Sequence, residues 1–141
     1  MSTFRLAGLL RLRKLQEDAV RAELARARAT EHDRRRREQR VRQVLGDSGI
    51  DASSAEAVQS IAAARASSSS MLGELDALLA QDRRAVADAE AAHAAAKTRT
   101  TQLEKLQEHH ADRTRRADLA AEQSVLDDHA GRVGQRRGGD A

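Results

Sequence analysis

Ten residues, Leu72, Leu75, Leu79, Asp82, Val86, Ala89, His93, Ala96, Thr100 and Leu103, follow one another at alternating intervals of three and four. On an α-helix that spacing gathers side chains into one narrow stripe, the seam of a coiled coil. Most of the stripe after Leu79 is small or polar. Small side chains let two helices approach closely, and polar ones cost stability while fixing register. The rest of the chain offers no competing architecture: proline is absent, aromatics make up 1% of 141 residues, and 33% are charged. A broad interior has too few large side chains to fill it. The predicted class is all-α, a long antiparallel two-helix coiled-coil hairpin with an irregular or short-helical tip and a frayed C-terminal tail, forming a single domain.

The first long helix is expected over residues 3–45, capped by Ser2 or Thr3. Its apolar positions fall on two neighbouring stripes: Leu6, Leu9, Leu10, Leu12, Leu15, Ala19 and Ala22, and beside them Val20, Leu24 and Ala27. Charges then nearly extinguish the pattern until Val41, Val44 and Leu45. Gly46-Asp47-Ser48-Gly49 supplies a C-cap and a reversal. Residues 46–70 are taken as the tip, with a short helix over 54–66 started by the capping-box spacing of Ser53 and Glu56 and ended before the Ser67 to Ser70 run. The second long helix spans 71–131, ended by Gly131 and Gly134, and 132–141 form a flexible tail. A reversal centred on residues 56–60 sets Leu45 opposite Met71 and Leu9 opposite Gln107, and leaves everything beyond about Arg113 without a facing helix.

Charge agrees with that folding back. Residues 1–45 carry +7 and residues 46–131 carry −6, within a chain of net charge +3. The complementarity suits an antiparallel pairing, although exposed ion pairs contribute little each.

The chemistry-bearing patterns are sparse. No glycine-rich phosphate loop, no serine elbow and no cysteine is present, and a two-helix hairpin has no pocket in which to shift a proton equilibrium, so no catalytic residue, cofactor or enzymatic role is expected. Glu90 and His93 have a metal-like spacing, but a carboxylate-bridged centre needs a second copy and two further glutamates, so no metal is expected. His109 and His110 point about 100° apart on a helix and do not converge. The Arg34 to Arg37 run encircles one helical turn and is first of all a solvated surface, then a protein docking surface, and last a nucleic-acid contact. No apolar run reaches the length of a membrane span, and Arg5, Arg11, Arg13 and Lys14 interrupt any leader-like segment.

Both termini carry a resemblance. Phe4, Leu6, Leu9, Leu10, Leu12 and Arg13, and later Leu103-Glu104-Lys105-Leu106, Arg115-Arg116, Glu122-Gln123 and Leu126-Asp127-Asp128 with Ala130, resemble the flagellar export protein FliJ family. The chain departs from that pattern with Asp128 in place of a glutamate, and with Gln107-Glu108-His109-His110 where more basic residues are usual. The resemblance implies a cytoplasmic, non-enzymatic coiled-coil stalk of the flagellar type III export apparatus, located at the inner face of the membrane at the flagellar base and touching the membrane only through its partners. Those partners would be the hexameric export ATPase, the membrane export gate and export chaperones, with no nucleic acid. By matched position, Leu6, Leu9, Leu10, Leu12, Arg13, Leu103, Leu106, Arg115, Arg116, Leu126, Asp127 and Asp128 would contact the ATPase ring. Met71, Leu72 and Leu75, an apolar cluster beside the tip, are the candidate gate contact. The alternatives are a basic helical hairpin that binds nucleic acid and a generic coiled-coil scaffold or chaperone.

Overall fold

The computed structural model describes residues 2–47 and 53–137. It contains two α-helices, α1 (Ser2–Asp47) and α2 (Ala55–Arg137), packed against each other as a hairpin. The chain divides into two compact units, one of residues 1–14 with 98–141 and the other of residues 15–97, so each unit holds a stretch of both helices.

α2 begins where a serine hydroxyl replaces a missing helical acceptor. Ser54 Oγ accepts from the Ala57 amide at 3.2 Å, and the Ser54 carbonyl accepts from the Val58 amide at 3.1 Å. Ser54 is therefore the N-cap, not Ser53, and Glu56 sits in the first turn, where its charge complements the helix dipole without closing a capping box. α2 then continues without interruption through Ser67 to Ser70, so the expected separate helix over 54–66 does not exist and the tip is shorter than 46–70. Serine competes for backbone hydrogen bonds only weakly inside a helix whose neighbours, Ala62 to Arg65 and Met71 to Leu72, are strong helix formers. Gly131 and Gly134 fail to stop α2 for a related reason. No glycine among the described residues has positive φ, and a helical glycine costs only about 1 kcal/mol relative to alanine. At the other end α1 already includes Ser2 and Thr3, so neither is the non-helical cap residue that was expected. The Ser48-Gly49 part of the reversal and residues 138–141 of the tail lie outside the described residues.

Within the second unit, the seam of α2 follows the sequence repeat. Leu75 and Leu79 are buried, and Leu72, Asp82, Val86, Ala89, His93 and Ala96 are half-buried. On α1 the less exposed residues are Glu17, Val20, Leu24, Ala27, Glu31, Arg34, Glu38, Val41 and Leu45, again at alternating spacing, with Leu24 buried. Of the two overlapping stripes, the helix thus turns the Val20-Leu24-Ala27 one inward and leaves Leu12 and Leu15 50% and 62% exposed. Only this phase stays in step with Val41 and Leu45. It does so by admitting carboxylates and a guanidinium into the seam.

Those seam charges are neutralised locally. Arg34 donates from Nε to Asp82 Oδ2 and from Nη2, at 3.5 Å, to Oδ1, joining the two helices inside the seam with side chains only 26% and 12% exposed. Glu38 accepts from Arg42 at 2.6 and 2.9 Å. At the edge beside the seam, Arg28 pairs with Glu90 at 2.8 Å and Arg42 lies 3.9 Å from Asp76, so 14 residues forward on α1 correspond to 14 back on α2. Between these two levels the register sets Arg35 level with Arg83, and Glu31 lies between the like charges, 2.6 Å from Arg35 and 3.8 Å from Arg83. The midpoints of these inter-helix pairs fall at residues 57–59, inside the interval expected for the reversal. One seam atom is left unmatched: His93 Nε2 is buried with no hydrogen-bond partner.

The aliphatic contribution is concentrated in very few side chains, which makes each of them expensive to lose. Leu79, 2% exposed, should cost about 2–3 kcal/mol when replaced by alanine. Leu119, 65% exposed, should cost less than about 0.5 kcal/mol. Urea melts followed by helical circular dichroism compare the two, and equal losses would contradict the seam assignment.

Candidate functional site

In the first unit, Leu6, Leu10 and Arg13 are half-buried on α1, and on α2 Thr100 is buried while Leu103, Glu104 and His110 are half-buried. On α1 these residues keep the three-and-four spacing; on α2 Thr100, Leu103 and His110 lie at seam positions, with exposed Gln107 at the one between and Glu104 beside them, and together they form the seam of this unit. Lys14 Nζ lies 3.1 Å from Glu104 Oε1 at its edge, a pair centred on residue 59. The seam stops at His110: every described side chain from 111 to 134 is exposed. This is the unfaced stretch that the register called for beyond about Arg113.

The residues proposed from the sequence for ATPase contact therefore separate into two groups. Leu6, Leu10, Arg13 and Leu103 are seam residues. Leu9, Leu12, Leu106 and Leu126 are 41%, 50%, 53% and 63% exposed, and Arg115, Arg116, Asp127 and Asp128 are exposed with them. Arg115 is ion-paired within its own helix to Asp112, and Gln123 Nε2 donates to Asp127 Oδ1 at 3.2 Å. Both contacts steady side chains on the surface without covering them.

Sequence reasoning named Leu126 but missed Leu119 and the outward direction of the stripe they share with Val133. Leu119, Leu126 and Val133 recur at intervals of seven and are all more than half exposed, with Val125 beside them. The continuation of the α1-facing seam would run through Thr114, Ala117, Ala121 and Ser124. Leu119 is two residues out of phase with it, about 200° around the helix. The apolar stripe is thus a separate outward face, and its seven-residue spacing is the signal that could have found it.

In the second unit the candidate gate residues do not form one exposed cluster. Leu75 is 5% exposed and Leu72 half-buried, because both occupy the α2 seam, whereas Met71 is 43% exposed. Of the three, Met71 alone is exposed; on α1, Val44 is 67% exposed. A residue on a strict three-and-four repeat is claimed by the partner helix first, which is the reason the expectation for Leu72 and Leu75 as surface contacts fails.

Among the described residues no group of three or more His, Asp or Glu side chains is placed to hold a metal ion, and no helix is long and apolar enough to cross a membrane. What the arrangement offers is surface: a helical segment carrying an apolar stripe and both signs of charge, held at one end by a seam. If that segment serves recognition alone, a chain ending after His110 should keep its urea midpoint, with stability changed by less than about 1 kcal/mol. A loss of several kcal/mol in circular-dichroism melts would show that the exposed segment supports the fold.

The family model described as flagellar FliJ protein matches residues 1–139. Searches of curated proteins and of solved structures gave no match. The match extends over both helices, the seam and the outward stripe, and the chain belongs to the flagellar FliJ family, whose members are components of flagellar type III protein export.

Proposed function

We propose that this chain is a non-enzymatic coiled-coil stalk that inserts into the hexameric export ATPase ring, stimulates it and couples it to the membrane export gate. The observation that carries the proposal is the exposed, unfaced segment of α2 from residue 111 to 134, with Leu119, Leu126 and Val133 in one line. Exposed apolar stripes of this regularity mark surfaces that are covered in an assembly. In this reading Leu9, Leu12, Leu106, Leu126, Arg115, Arg116, Asp127 and Asp128 meet the ring together with Leu119. Leu6, Leu10, Arg13 and Leu103 act indirectly, by holding the seam from which the segment emerges.

Met71, above Leu72 and Leu75 in the seam, is the corresponding contact for the gate, and export chaperones are further partners. The chain then works in the cytoplasm at the inner face of the membrane and reaches the membrane through those partners. Membership of an export family supports this placement over a nucleic-acid role, since what the family implies is a protein-export assembly.

ATP hydrolysis by the cognate export ATPase, measured with and without the chain, tests the reading. Stimulation is expected from the unaltered chain. The double variant Leu119→Glu and Leu126→Glu, which alters two exposed positions, should lose at least five-fold of it while melting as the parent does. No stimulation by the parent, or full stimulation by the variant, would count against the stalk role.

A further inference from the structure

The two edges of the helix pair in residues 15–97 are built differently. One edge carries the ion pairs Arg28 with Glu90 and Arg42 with Asp76, and its like charges are settled by Glu31. The other edge, at the positions preceding the seam residues, presents Thr30 and Arg37 on α1 and Leu78 and Ala85 on α2. No carboxylate answers Arg37 there; the residue level with it in the register is Leu78, 39% exposed.

A surface groove lies on the flank of α1 that adjoins this second edge, its lining residues Thr30, Asp33, Arg34, Arg36, Arg37 and Arg40 all belonging to α1. Arg34 is engaged by Asp82. Arg36, Arg37 and Arg40 have no carboxylate within ion-pair reach among the described residues, although Arg21, Arg26, Arg28, Arg35 and Arg42 all do. Asp33 lies among them and pairs with none. Three guanidinium groups spaced by one and three residues therefore share a surface strip, offset by a single carboxylate. Further along the same side of α1 a second shallow groove is mainly apolar, with Val20 in its lining and its one charged couple, Glu23 and Arg26, satisfied internally at 3.1 Å.

We infer that this edge is a docking surface for an acidic amphipathic α-helix of another protein. Its carboxylates, three or four residues apart, would meet Arg36, Arg37 and Arg40, and its apolar stripe would lie along Leu78 and the Val20 groove. The spacing of the arginines along α1 repeats at one helical turn, which a second helix alongside matches and an irregular polyanion does not. Arginine favours carboxylate in this role because its planar fork can hold two oxygens at once. Nucleic acid fits less well: the face has no aromatic side chain on which a base could stack, and Asp33 would stand against a phosphate backbone. This assignment does not depend on the stalk reading, since it uses none of the ATPase or gate residues.

The test uses the full chain and a synthetic four-heptad peptide with leucine at its seam positions and glutamate on either side, with a scrambled peptide of the same composition as comparison. Fluorescence anisotropy should show binding of the amphipathic peptide and at least ten-fold weaker binding of the scrambled one. R36E/R37E/R40E should weaken the first at least ten-fold, while R65E, an exposed charge change elsewhere on α2, should alter it less than two-fold. If the triple reversal unfolds, R36Q/R37Q/R40Q takes its place, with at least a three-fold loss expected. The native chain has no cysteine, so a dye on A85C reports contact at this edge directly, and its emission should change when the peptide binds. Equal binding of both peptides, or unchanged binding by the arginine variants, overturns the proposal. So does binding of phosphatidylglycerol vesicles or duplex DNA through Arg36, Arg37 and Arg40 without binding of the peptide.

Discussion

A stripe scarcely one side chain wide holds the two helices together, and its narrowness dictates the rest of the structure. Leu24, Leu75 and Leu79 are the buried aliphatic residues in the described part of the chain, so hydrophobic contact supplies attraction but little specificity. Register has to come from elsewhere. It comes from charge: the Arg34 to Asp82 pair inside the seam, and edge pairs whose partners step in opposite directions along α1 and α2. Each exposed pair is worth at most about 1 kcal/mol, yet sliding one helix by a heptad would break several at once and leave seam charges without partners.

That division of labour explains why much of the hairpin was legible in the sequence. The α2 repeat from Leu72 to Leu103 is uninterrupted, and burial follows it residue by residue within each unit. The centre of the reversal and the unfaced stretch beyond about residue 113 follow from the lengths of the two helices and the site of the turn. The phase of α1 was harder to read, because leucines at 12 and 15 advertise one stripe and Val20 with Leu24 another. The choice between them depends on which charged residues find partners across the seam, and that information sits on α2. Glycines and serines misled for the opposite reason: each is a weak local signal, easily overridden when long helical stretches flank it.

The surface was legible where it depends on identity and obscure where it depends on direction. Leu6 and Leu9 look alike in the sequence, but one closes the seam and the other faces water. Leu72 and Leu75 were lost to the seam in the same way. Leu119 went unnoticed, and Val133 was read with Leu126 as a loose continuation of the seam, because a seven-residue interval is too sparse to stand out until the α1-facing side of the helix is known. Arg36 and Arg37 belong to a run of four identical residues that Arg40 follows one turn on, and only the structure separates these three from Arg34 and Arg35, which have carboxylates of their own. A protein whose interior is this slight has most of its chemistry on the outside, in agreement with a family that serves an export assembly.

The register claim is open to direct measurement, since the chain has no cysteine and labels can be placed at will. Spin labels at Ala22 and Ala95, two exposed positions on one level, should give a short intramolecular distance. Moving the second label 14 residues, to Gln81, displaces it about 21 Å along the axis and should lengthen the distance by about 10 Å. A 22/81 distance equal to or shorter than the 22/95 distance, or a signal that vanishes on dilution with unlabelled chain, would contradict the antiparallel register on which this account rests.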